Sequence, residues 1–224
     1  MNDFFKNIDR ANHIEIVAEI EFLPHASALY THMLRLHKKV SLVCLSENID
    51  KKFSFLPWFE KIKSTRISSA DMRMVCDFSA KSLYDFFMTQ ECQPNKKMAT
   101  ALYAALICET NGFRKELDGT IFAMAGVLIE LGADSTRSTR FLLQRTTLSY
   151  LRLKASMLKK MLLQNDAKVA IFFMHHDDLL ASGANHHDAF LIMQEALDLE
   201  YVEVVILLES DKENELKKII YKEI

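Results

Sequence analysis

The chain has 224 residues, half of them hydrophobic, with 28 Lys and Arg against 30 Asp and Glu for a net charge of -2. That length and apolar share suffice for a substantial core in one large or two small domains, and near-neutrality excludes a bulk field drawing the whole chain to nucleic acid. The opening MNDFFKNIDR is charged and no apolar stretch is long enough to span a bilayer, so a cytoplasmic protein with no membrane contact is expected.

In chain order, HIEIVAEI over 13–20 alternates and is β-branched, which predicts a strand. Residues 25–39 place Ala26, Leu29, Met33 and Leu36 on one helical face, and 40–45 form a second strand, giving the βαβ unit of a parallel sheet. FSFLPWFEKIK over 53–63 is an apolar cluster around Pro57, 72–76 a third short strand ending at Asp77, and 80–89 a helix burying Leu83, Phe86 and Phe87. Met98, Leu102, Tyr103, Leu106 and Ile107 recur at helical spacing up to Gly112, which supplies a left-handed stop. Asp118, Gly119 and Thr120 cap a further helix over 121–131.

Helices rich in Leu and basic residues are expected over 135–145 and 148–164, the second as a connector between lobes. Strand, short helix, longer helix and strand then follow at 168–174, 177–181, 189–197 and 202–208, with 216–221 placed to pair beside the last strand. The fold class is therefore α/β: a parallel-sheet N-terminal lobe with helices over 1–146, a helical connector over 147–166 and a smaller α/β C-terminal lobe over 167–224. Cys44, Cys76, Cys92 and Cys108 lie far apart without a CxxC pair, three of them in apolar segments, and read as buried reduced thiols rather than zinc ligands or disulfides. Five glycines and no Gly-rich phosphate loop exclude P-loop and dinucleotide-binding folds.

The run "helix, Glu109, Thr110, x, Gly112, Phe113, Arg114, loop, helix ending in Gly132, Ala133, Asp134" resembles the last metal-binding motif of the DHH phosphoesterases. That two-manganese family includes RecJ-type exonucleases, nanoRNases and pAp phosphatases, and FLPWFEKI is similar to a segment in one of its branches. The resemblance implies metal ligands at Asp77, after the third strand, and at Glu109, where the family has Asp. In place of HxNxDxD stands AEIEFLPHASA, so Glu19 and Glu21 become the candidate carboxylates, beside the alternative that they are charges at a strand end. Asp77 serves equally as a helix N-cap.

The DHH tripeptide and its loop have no counterpart between Asp77 and the following helix, and by this alignment the chain stops at Ile224, before the family's Gly-rich substrate loop. The resemblance thus implies a DHH-family homologue that has lost catalysis and acts by binding a protein partner or as a homo-oligomer. A nucleotide or short oligonucleotide is the other ligand class, held by Arg114, Arg137 and Arg140, which also suit a solvated face. Two alternatives stand beside it: a residual Mn2+-dependent phosphoesterase or short-oligoribonucleotide hydrolase, and a structural subunit pairing with an active homologue. The His175, His176, Asp177, Asp178 and Asn185, His186, His187, Asp188 strings look like DHH by eye, but they sit ahead of helices, where Asp177 and Asn185 suit N-caps.

Overall fold

The β-branched alternation of HIEIV forms strand β1 (His13–Val17) in a computed structural model that describes residues 8, 11–46, 49–115, 117–144, 146–209 and 215–221. The strand is shorter than its pattern. Glu19 is extended and leads into a 3-10 turn, Ile20–Phe22, after which Pro24 opens helix α1 (Leu23–Arg35). Proline in the first turn has no N–H to lose, so the helix begins earlier than the apolar spacing alone suggests.

Strands β2 (Lys39–Val43), β3 (Ile62–Lys63) and β4 (Met72–Val75) complete a four-stranded sheet in the order β3-β2-β1-β4. All three pairings are parallel, with Ile14 opposite both Val40 and Met72. The FSFLPWFEKIK cluster folds as 3-10 turns that bury Phe53, Phe55 and Leu56 and end in β3. Helices α2 (Ala80–Thr89), α3 (Lys96–Glu109), α4 (Gly119–Glu130) and α5 (Ser135–Leu143) finish this unit, which spans Met1–Arg145. Helix α3 is apolar nearly all round and buried from Met98 to Ile107, as such a helix must be. Ala99, Ala101, Ala104 and Ala105 let its neighbours approach closely.

The second unit spans Thr146–Ile224. Helix α6 (Leu148–Lys160) starts at Thr147, whose hydroxyl accepts the Tyr150 N–H at 3.1 Å. The helix expected to run to position 164 ends at Lys160, because Met161 turns extended and Leu162–Gln164 becomes strand β5. Asn165, Asp166 and Ala167 reverse the chain with φ of 52°, 53° and 65°, and β5 pairs antiparallel with β6 (Val169–Met174). Helices α7 (His176–Ser182) and α8 (His186–Ala196) precede β7 (Val204–Glu209), and β8 (Glu215–Tyr221) pairs antiparallel with it. Helix α6 packs on β6, α7 and α8, its Leu153 and Met157 joining Phe172, Met193 and Leu207 in this unit's own core.

An α/β architecture with a parallel four-stranded sheet and a second, mixed sheet is therefore established. Among the described residues, no helix is long and apolar enough to cross a membrane.

Candidate functional site

Strand β1 lies between β2 and β4, so the order of the sheet reverses at its edge, and in open parallel sheets ligands bind outside the carboxyl ends of the strands at such a reversal. Two connections leave that edge. One runs from Ala18 through Glu19 and Glu21 into α1, the other from Cys76 through Asp77 and Ser79 into α2. The end of α3 supplies the group that ties them together.

Glu109 Oε1 accepts a hydrogen bond from His25 Nε2 at 2.8 Å and another from the Ala80 N–H at 2.9 Å. His25 is buried in the first turn of α1, against the ring of Phe22, and Ala80 is the first residue of α2. The neighbouring cap is also filled, since the Ser79 hydroxyl accepts the Ser82 N–H at 3.2 Å. The expected N-cap at Asp77 is thus two residues early: Ser79 performs that role and Asp77 stands exposed. A carboxylate among the first N–H groups of a helix is stabilised by their partial positive charge, so Glu109 acts as an internal anion for α2.

Glu19 and Glu21 are exposed like Asp77. Among the described residues, no three His, Cys, Asp or Glu side chains are grouped so as to hold a metal ion. As arranged, the donors at this edge do not fit a two-manganese centre, which needs several carboxylates and histidines converging on two ions a few ångströms apart. Burial pushes the Cys108 thiol up to about 11, opposed by the charge of Lys52 and aided by that of Glu109.

The segment after Glu109 explains why its motif is so specific in type. Thr110 is buried; its hydroxyl donates to Leu106 O at 2.6 Å and accepts the Phe113 N–H at 2.9 Å, while its carbonyl accepts the N–H groups of Arg114 and Lys115. Gly112 has φ +71°, and a Cβ there would lie 3.0 Å from both Leu143 methyls. Phe113 stacks on Phe122 of α4. Arg114 is exposed at this turn; Arg137 and Arg140 are exposed on α5, with the Arg137 guanidinium 5.7 Å from the Phe141 ring centroid.

In the second unit the two His-Asp strings are helix starts. The Asp178 carboxylate accepts the His175 N–H at 2.8 Å, the Ser156 hydroxyl at 2.7 Å and the Lys160 ammonium at 2.7 Å. The N-cap of α7 is His175, with Asp177 inside the first turn, whereas Asn185 caps α8 in reciprocal hydrogen bonds with Asp188.

Sequence reasoning passed over Glu15, whose carboxylate is 0% exposed on the central strand. It accepts from Arg73 Nε and from the Ile67 N–H, with Arg66 at 3.7 Å. Burial raises its pKa, yet the hydrogen bonds and charges of Arg73, Ile67 and Arg66 together outweigh burial and hold it below the ordinary value. Its charge in the middle of HIEIV was the available signal, because a carboxylate inside a buried strand needs a cation.

No protein-family model and no curated protein matches the sequence. Solved structures do. An exopolyphosphatase-related protein from Bacteroides fragilis matches with TM-score 0.76 and 14% identity, over 95% of this chain and 80% of that one. The likeness shows a shared α/β fold. A RecJ from Thermus thermophilus in complex with Mn2+ matches at 11% identity over 93% of this chain and 45% of that one, with TM-score 0.42, too low to establish a common fold.

Proposed function

We propose that this chain uses a DHH-type phosphoesterase fold for binding, with catalysis lost, and that its partner is a protein. The observation that carries this reading is the engagement of Glu109, whose Oε1 already accepts from His25 and from Ala80. A carboxylate that braces two helix starts is a structural element, and releasing it to a metal strands two donors. The absence of HxNxDxD and DHH strings from the sequence supports the same conclusion. Exposed Arg114, Arg137 and Arg140 make a nucleotide or short oligonucleotide the other ligand class to assay.

Hydrolysis of an RNA dinucleotide and of pAp with added manganese tests the proposal. The expected result is no turnover above that of the Asp77→Ala variant and no manganese uptake in calorimetry. Manganese-dependent turnover that disappears in Asp77→Ala and Glu109→Ala overturns it and makes the chain a residual phosphoesterase.

A homo-oligomeric subunit is favoured by one specific feature. Helix α4 turns Met124, Ala125 and Leu128 inward but leaves Phe122 55% exposed, together with Val127 and Ile129. Beside it, a groove of about 440 Å³ between α2 and α4 carries Lys81 and Asp85 above Ala123, Met124 and Val127. One cation and one anion on the same apolar wall suit a two-fold pairing in which each meets its opposite on the second copy. Light scattering is expected to give a dimer mass that Phe122→Asp returns to monomer; a monomeric parent protein overturns this arrangement.

A further inference from the structure

A second cavity, of about 310 Å³, opens among the last turns of α1 and α2, at the end of the unit away from Glu109. Its lining joins a thiol, an imidazole and a guanidinium, Cys92, His32 and Arg35, beside Phe86, Gln90 and Glu91. Glu91 has φ 50°, and this left-handed step after α2 brings the Cys92 N–H back to Phe87 O at 2.9 Å. Cys92 Sγ then lies 3.4 Å from His32 Nδ1.

His32 is 2% exposed and held between the rings of Phe86 and Phe87. Its Nε2 has no hydrogen-bond partner among the described residues, although the residue lines the cavity. Burial, aided by the charge of Arg35, lowers His32 to about 4, so the imidazole is neutral at pH 7. Arg35 is anchored by donating to Gln93 O at 2.7 Å and supplies the positive charge. The other cysteines are poorer candidates: Cys44 and Cys76 are buried, and burial pushes Cys76 to about 12 and Cys108 to about 11.

We propose that Cys92 is a thiol-disulfide exchange site for a small disulfide bearing a carboxylate, with Arg35 receiving the carboxylate and His32 orienting the sulfur. Cys92 loses its proton to solvent, and the neutral imidazole donates Nδ1–H to the resulting thiolate. The thiolate attacks one sulfur of the disulfide; that S–S bond breaks, a Cys92 mixed disulfide forms, and the released thiolate takes up a proton from solvent. Cys92 is oxidised and half of the small disulfide is reduced, so the reaction balances. The unpartnered Nε2 remains as an acceptor for an amide or ammonium N–H of the bound group.

Intact-mass spectrometry of the full chain with oxidised glutathione tests this. One glutathione per chain is expected, retained in Cys108→Ser and lost in Cys92→Ser, with circular dichroism confirming that both variants fold. Arg35→Gln is expected to slow the reaction with glutathione disulfide about fivefold, the size of one exposed ion pair, and to leave the rate with neutral 2-hydroxyethyl disulfide unchanged. No adduct, an adduct that persists in Cys92→Ser, or equal slowing of both disulfides by Arg35→Gln overturns the proposal.

Discussion

His25 Nε2 and Glu109 Oε1 stand 2.8 Å apart although 84 positions separate the two residues in the chain. The same oxygen holds the Ala80 N–H, so the starts of α1 and α2 and the end of α3 meet on one atom. Substituting Glu109 by Ala leaves the buried imidazole and the first N–H of α2 without their acceptor. Each unsatisfied donor costs about 1–3 kcal/mol, with water recovering part of it at this half-buried site. Glu109→Ala is expected to lower the urea midpoint. A double-mutant cycle with His25→Ala should show coupling of about 0.5–3 kcal/mol; additivity would mean that the pair is not a working contact.

Gly112 answers two demands at once, a φ of +71° and contact with Leu143. Gly112→Ala is expected to destabilise the first unit by about 1–3 kcal/mol through the strained backbone. Leu143→Ala in the same chain removes the steric part only. A thermal-unfolding comparison checks this: the double variant should recover some, and not all, of the loss.

The Glu15 carboxyl titrates below its ordinary value of 4.5 in the folded chain. The unfolded chain therefore takes up the proton first, and the stability contributed by Glu15 is full above 4.5 and is lost as pH falls through the lower, folded value. Arg73→Gln removes the nearest cation from a buried charge, so the acid transition followed by circular dichroism should move to higher pH. A transition at unchanged pH would show that Ile67 and Arg66 suffice.

Asp178 gathers the His175 N–H, Ser156 and Lys160 at one carboxylate, joining α6 to the start of α7. Its pKa is lowered because hydrogen bonds from Lys160, His175 and Ser156 and the Lys160 charge exceed the opposing effect of burial. Asp178→Asn is expected to cost the second unit about 1.5–3 kcal/mol, the range for hydrogen bonds to charged groups. The loss should be the same with and without manganese; a metal-dependent difference would contradict the capping role.

The local rules of the chain were legible without coordinates. The alternation of HIEIV, the 3.6-residue spacing in α1, α2 and α3, the stop at Gly112 and the strand-helix-helix-strand run of the second unit depend on neighbours a few positions away, and each appears in the structure in its expected order, although β1 ends at Val17 rather than at position 20 and α1 at Arg35 rather than at position 39. The Glu109 turn was also recognisable, since its residue types answer a backbone geometry.

What tertiary structure alone decided begins with β3 and β5. Two and three residues are too few to carry a period, and each becomes a strand only because an edge lies ready to pair with it. The partners of Glu109, Glu15 and Cys92 lie 84, 58 and 60 positions away, so no window of sequence contains both members of a pair. Sequence by itself therefore determined the helices, the longer strands and which residues carry charge, because those are short-range properties of the chain. The fold decided whether a carboxylate faces solvent or closes on an imidazole, because that depends on which distant side chains the packed core brings within hydrogen-bond reach.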